Sequence, residues 1–126
     1  MRLNKITRKN LGKDGEKIAI SFLKKRGYQI LEKNYRCRLG EIDIVAKDKE
    51  KIVFVEVKTR SSLIFGLPQE AVSYSKQLRL TRLALTYLSY HKLKDIPCRF
   101  DVVGILMQGK KVKEIQLITN AFPSPY

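Results

Sequence analysis

An α/β domain with a mixed sheet of about five strands flanked by helices is predicted by three observations. The segments order as α-β-β-β-α-β-β. Two strand-like runs, Glu41–Ala46 and Ile52–Lys58, set acids among aliphatic residues. The length, 126 residues, is enough for one domain with a real core and too short for two. Hydrophobic residues make up 44% and charged residues 30%, a balance that describes a globular chain and not a disordered one.

Each element has a local reason. Residues 1–13 carry Arg2, Lys5, Arg8, Lys9 and Lys13 and no acid, and are expected to form a basic N-terminal arm. Residues 14–26 read as a helix: Asp14 can cap it, Ile18 and Phe22 recur at helical spacing, and Gly27 suits the left-handed residue after its end. Tyr28–Tyr35 reads as a strand, followed by the basic turn Arg36-Cys37-Arg38-Leu39-Gly40. Residues 41–46 and 51–59 form two strands whose short polar spacer, Lys47–Glu50, suits an antiparallel hairpin.

Ser61–Leu67 is expected to be a loop and Gln69–Val72 a short helical turn. A longer helix, capped by Ser75, then runs to about His91, with Leu80, Leu83, Ala84, Tyr87 and Leu88 as its core stripe. Pro97–Met107 and Val112–Ile118 read as a final hairpin around Gln108–Lys111. The single domain spans 14–120 and a coil tail 121–126. A meander followed by a helical crossover gives the mixed sheet.

Composition limits the chemistry. Lys plus Arg number 26 against 12 Asp plus Glu, a net charge of +14, which favours a polyanion partner and salt-sensitive binding. No stretch approaches the roughly 20 apolar residues of a membrane span, and the N-terminus lacks the apolar run of a secretory segment. The reading is a cytoplasmic protein with no membrane partner. Cys37 and Cys98 form no close cluster with histidine, which argues against zinc and for reduced thiols. His91 is the single histidine, so phosphoryl chemistry here has to run on carboxylates, lysine and a hard metal ion.

Glu56 and Lys58 are two residues apart on one face of a strand flanked by valine and phenylalanine. An even-numbered hairpin turn sets Asp43 opposite Phe54 or Glu56. Either register puts Asp43, Glu56 and Lys58 on one face, with Ile42, Ile44, Val53, Val55 and Val57 on the other. Cross-strand neighbours lie about 5 Å apart, close enough for two carboxylates to hold one Mg²⁺ or Mn²⁺ ion, with a backbone carbonyl at Val57 as third donor. Lys58 would orient water or stabilise phosphate charge, and Glu16 could approach from the first helix. The competing reading is structural: a Glu56–Lys58 ion pair, Asp43 paired to an arginine, and Glu16 complementing its helix dipole. The residues alone leave both open.

Gly40-Glu41-Ile42-Asp43, followed by Val53-Phe54-Val55-Glu56-Val57-Lys58-Thr59-Arg60, resembles the PD-(D/E)xK nuclease superfamily. With Gly15-Glu16, Asn34-Tyr35-Arg36 and Arg99-Phe100-Asp101-Val102, the chain is similar over nearly its whole length to the YraN-like bacterial family, itself similar to Holliday-junction resolvases. The resemblance implies a restriction-endonuclease-like fold, a divalent metal and a DNA substrate. It makes Asp43 and Glu56 metal ligands, Lys58 the catalytic lysine and Glu16 the helix acid. Ile42 stands where the motif's usual proline would be, which removes no ligand.

The function expected from these readings is a Mg²⁺-dependent endonuclease for branched or structured DNA, DNA being preferred over RNA. Arg2, Lys5, Arg8, Lys9, Arg36, Arg38, Arg60, Lys76 and Arg79 would hold the nucleic acid. Junction resolution needs two matched cuts and so implies a homodimer. The alternatives are a non-catalytic nucleic-acid-binding module and an interaction protein of the DNA-processing or translation machinery.

Overall fold

The computed structural model describes residues 2–61 and 72–123, with side chains from residue 12 onward within those ranges. Its elements are α1 (Arg2–Lys25), β1 (Gln29–Cys37), β2 (Gly40–Asp48), β3 (Lys51–Arg60), α2 (Tyr74–Tyr90), β4 (Cys98–Gln108) and β5 (Lys111–Phe122). The expected α-β-β-β-α-β-β order is present. The five strands lie in chain order, β1-β2-β3-β4-β5, and only the β3–β4 pair is parallel. A parallel pair cannot be closed by a tight turn, and α2 lies in the required crossover.

The β2–β3 turn has two residues, Lys49 and Glu50, between the paired Asp48 and Lys51. Lys49 takes φ 57°, as a tight hairpin turn requires. From there the ladder runs to Ile44 opposite Val55, the register that brings Asp43 toward Glu56 and not Phe54.

Helices cover both faces of the sheet. Leu80, Leu83, Ala84, Tyr87 and Leu88 of α2 pack on Val45, Ile52, Phe54, Phe100 and Val102. Ala19 and Leu23 of α1 pack on Ile44, Val53, Val55, Val103 and Ile105. β3 is therefore buried on both sides, which is why its first half is an unbroken apolar run. Ile42, expected beside Ile44, packs instead in the α2-side cluster. Residues two apart share a face only while a strand stays regular; here the β2–β3 pairing ends at Ile44, and Ile42 and Ile44 pack in different clusters.

Gly15 fixes how closely α1 lies on β3. A Cβ at this position would overlap the Thr59 hydroxyl, whereas one at Gly12 would meet nothing within 4 Å. Gly15 thus has a reason to be glycine in a helix interior, where glycine is otherwise unfavourable.

Three expectations about element ends are corrected. α1 begins well before Asp14, which is an interior residue and caps nothing. The cap of α2 is Ser73, whose Oγ accepts from the Lys76 N–H at 3.2 Å; Ser75 lies inside the helix. β5 continues through Ala121 to Phe122, whose ring stacks on Phe100 at 4.6 Å, so the start of the expected tail is sheet. The expected loop at Ser61–Leu67 and turn at Gln69–Val72 lie almost wholly outside the described residues, as do the side chains of Arg2, Lys5, Arg8 and Lys9.

Arg99 and Asp101 lock the other end of the sheet. Asp101, 1% exposed, accepts from Tyr28 Oη (3.0 Å), Arg99 Nε (2.9 Å) and the Asn120 N–H (2.9 Å). Arg99 Nη2 also donates to Asp48 Oδ2 at 2.9 Å. Burial and the Asp101 charge push the Tyr28 hydroxyl up to about 12. A buried carboxylate is tolerable only with such partners, and here they tie β2, β4 and β5 to Tyr28, the residue just before β1.

Candidate metal centre

Where the β2–β3 ladder ends, β2, β3, α1 and β1 line an open cavity of about 570 Å³ whose walls include Lys13, Glu16, Asn34, Arg36, Glu41, Asp43, Glu56, Val57, Lys58 and Thr59. The opening is held by a side chain acting as backbone: the Val57 N–H donates to Asp43 Oδ2 at 2.8 Å. Asp43 is thereby fixed at the mouth of the split.

Four acids converge here from three elements. α1, docked through Gly15, presents Glu16. Glu41 and Asp43 project from alternate positions of β2, and Glu56 from β3. One carboxylate oxygen each of Glu16, Glu41 and Asp43 lie within 4.8 Å of one another. Asn34, at φ 52° on β1, bridges two of them: with its amide turned to donate, Nδ2 reaches Glu16 Oε1 at 3.0 Å and Glu41 Oε1 at 2.8 Å. Arg36 Nε reaches Glu41 Oε2 at 2.6 Å on the exposed side.

Crowded acids resist ionisation. Burial, then the hydrogen bond and charge of Glu56, push the Asp43 carboxyl up to about 8, against the opposing pull of the Val57 N–H. Burial also raises Glu16, with Asn34 working the other way. Lys58 is lowered by burial and next by its neighbour Lys76. Lys76 comes from α2 and places Nζ 3.3 Å from Glu56 Oε1. Clustered carboxylate oxygens are the hard donors that a divalent cation takes, and Glu16, Glu41 and Asp43 are close enough together to hold a metal ion.

Of the residues expected at the site, Glu16, Asp43, Glu56, Val57 and Lys58 all line this one cavity. Arg36 is at its rim, Arg38 is exposed on the β1–β2 turn, and Arg60 ends β3. The Arg79 side chain lies against Gly40. Lys76, expected on a phosphate backbone, is drawn inward to Glu56. The reading from residues missed Glu41 and Asn34. Glu41 had a visible signal, since it precedes Asp43 by two on one strand. Asn34 stood in the Asn34-Tyr35-Arg36 stretch of the resemblance but was given no role, because a register irregularity in the β1–β2 pairing between Ile30 and Glu32 hides which β1 residue meets Glu41.

A mixed five-strand sheet between two helices, split over a cluster of acids, defines a nuclease-like α/β domain. The Uncharacterised protein family UPF0102 matches residues 15–105, from the α1 glycine to β4, and the chain belongs to this family. A UPF0102 protein of Caldicellulosiruptor bescii is 53% identical over 116 residues, 90% of this chain and 98% of the relative. One from Caldanaerobacter subterraneus subsp. tengcongensis is 44% identical over 122 residues, covering 95% and 100%. One from Geotalea daltonii is 49% identical over 118 residues, covering 94% and 93%. Among the described residues no helix is long and apolar enough to cross a membrane.

Proposed function

We propose that the chain is a divalent-metal-dependent endonuclease for branched or structured DNA, using Mg²⁺ or Mn²⁺. The observation that carries the reading is the convergence of Glu16, Glu41, Asp43 and Glu56 on one cavity with Lys58 in its wall, in a chain of charge +14.

In this reading Asp43 and Glu56 hold the ion with the Val57 carbonyl, and Glu16 and Glu41 complete the oxygen-rich wall. The ion supplies Lewis acidity toward a phosphodiester oxygen and lowers the pKa of bound water. Lys58, in the cavity wall two residues on from Glu56, would orient the attacking water and offset charge developing on the phosphate. Asn34 holds Glu16 and Glu41 at fixed spacing, so the acids need little rearrangement. Arg36, Arg38, Arg60 and Arg79, with the N-terminal cations Arg2, Lys5, Arg8 and Lys9, grip the phosphate backbone. Paired cuts on a four-way junction call for a homodimer.

The test is cleavage of labelled four-way-junction, flap, single-stranded and duplex DNA with Mg²⁺, Mn²⁺ or EDTA, comparing parent with Glu56→Ala. Metal-dependent cutting that disappears in the variant is the expected result, and the order of substrates names the class. Salt-sensitive binding with no cleavage of DNA or RNA by the parent would replace this reading with a non-catalytic nucleic-acid-binding module.

A further inference from the structure

We infer that Lys76 is a positioning residue for the metal centre: it holds Glu56 by one oxygen so that the other is presented to the ion. The inference rests on the metal-dependent reading above and concerns a residue outside the acid–acid–lysine set.

Three observations carry it. The Lys76–Glu56 pair is poorly solvated, with side chains 30% and 9% exposed and Nζ 3.3 Å from Oε1. A pair so buried contributes little net stability, because desolvation offsets its Coulomb attraction. Secondly, Lys76 is in the first turn of α2, where the helix dipole disfavours a cation, and no acid in that turn relieves it. Among the described residues, Glu56 is the acid with which Lys76 forms a salt bridge. Thirdly, the backbone beneath Lys76 is anchored. Its N–H donates to the Ser73 cap, and the next residue, Gln77, is bonded through its N–H to Ser73 O (2.8 Å) and through Nε2 to Val72 O (3.1 Å). A long side chain on a fixed helix end reaches a strand acid, with Nζ 3.3 Å from Glu56 Oε1. Metal-binding carboxylates are commonly held this way by a partner outside the coordination sphere.

The experiment is titration of the metal-free chain with Mn²⁺, followed by calorimetry and by loss of the free-ion electron paramagnetic resonance signal. Lys76→Met is expected to weaken Mn²⁺ binding about 10–100-fold. Lys76→Arg, which keeps a cation within reach, should stay within about threefold of the parent, a rescue that loss of packing would not show. If Lys76→Met loses its folded circular dichroism spectrum, Lys76→Gln is read in its place. Unchanged binding in the charge-removing variant overturns the assignment, and so does tighter binding, which would make Lys76 a competitor for the site. Either result leaves the nuclease reading standing. A parent that binds no Mn²⁺ overturns both.

Discussion

Gly12→Ala and Gly15→Ala are the same chemical change three residues apart on α1, and the structure gives them opposite signs. In an open helix interior the change stabilises by roughly 0.8–1 kcal/mol. Gly12 has nothing within 4 Å of an added Cβ, so its variant should gain about that amount. At Gly15 the same Cβ would overlap the Thr59 hydroxyl and sit 3.1 Å from Thr59 Cβ. Thr59 is a short branched side chain on a strand and cannot swing its far end away. Overpacking of this kind costs about 1–3 kcal/mol, and the helix propensity is common to both variants. The difference between them is therefore the clash alone, ~1–3 kcal/mol, or roughly 3–12 °C in Tm for a domain of this size. Thermal unfolding by circular dichroism measures it, and Thr59→Ala in the Gly15→Ala background should recover most of the loss. The Gly15→Ala chain should also bind Mn²⁺ more weakly, because lifting α1 from β3 carries Glu16 away from Asp43. Equal and stabilising shifts at both glycines would refute the close docking of α1.

Three other perturbations separate site from scaffold. Asp43 carries a folded pKa of about 8, well above its ordinary 3.8, so the folded chain binds a proton that the unfolded chain releases. This contribution is fully present below about pH 4 and is lost as pH rises through about 8, on the order of a few kcal/mol. Urea denaturation of the metal-free parent from pH 5 to 9 should show the decline; Asp43→Asn should flatten it, and parallel profiles would contradict the crowded-acid account. Mn²⁺ affinity of the parent should rise about tenfold per pH unit below pH 8, with up to one proton released per ion, as calorimetry in buffers of different ionisation enthalpy can count. Asp101→Ala should cost about 3–5 kcal/mol by removing the buried acceptor shared by Tyr28 Oη, Arg99 Nε and the Asn120 N–H, yet leave Mn²⁺ affinity unchanged below its lowered Tm.

How much of this was legible in the sequence depends on the range of each interaction. The hairpin joining β2 and β3 was readable from a short polar turn and period-two alternation, which place Asp43, Glu56 and Lys58 on one face in either of two registers; only the structure selects the one that sets Asp43 toward Glu56. The length of α1 was not. Asp14 read as the helix cap, and only packing against Thr59 explains the glycine at position 15 in mid-helix. Glu41 was quoted within a motif yet passed over as a ligand, since its role depends on α1 crossing the sheet at one particular height. Ser73 and Ser75 are both sound caps by composition, and the distinction rests on where α2 must start for Leu80 and Leu83 to reach the core. Lys76 looked like any surface cation on a basic helix. Its inward reach depends on the angle between α2 and β3, a property of the assembled layers.

The strand order of the sheet has a consequence for how this chain comes into being. Since each strand lies beside its predecessor in sequence, a chain emerging from the ribosome can add strands in the order they are made, and only β4 must wait for a helix to cross. The acids are all synthesised by β3, before the strand that covers its open edge and the Asp101 lock that ties β4 in place. A half-made sheet therefore exposes the flank of β3, its most apolar strand, while its mutually repelling acids are already in place. The interval before β4 docks is the stage at which this fold is expected to be most prone to aggregate.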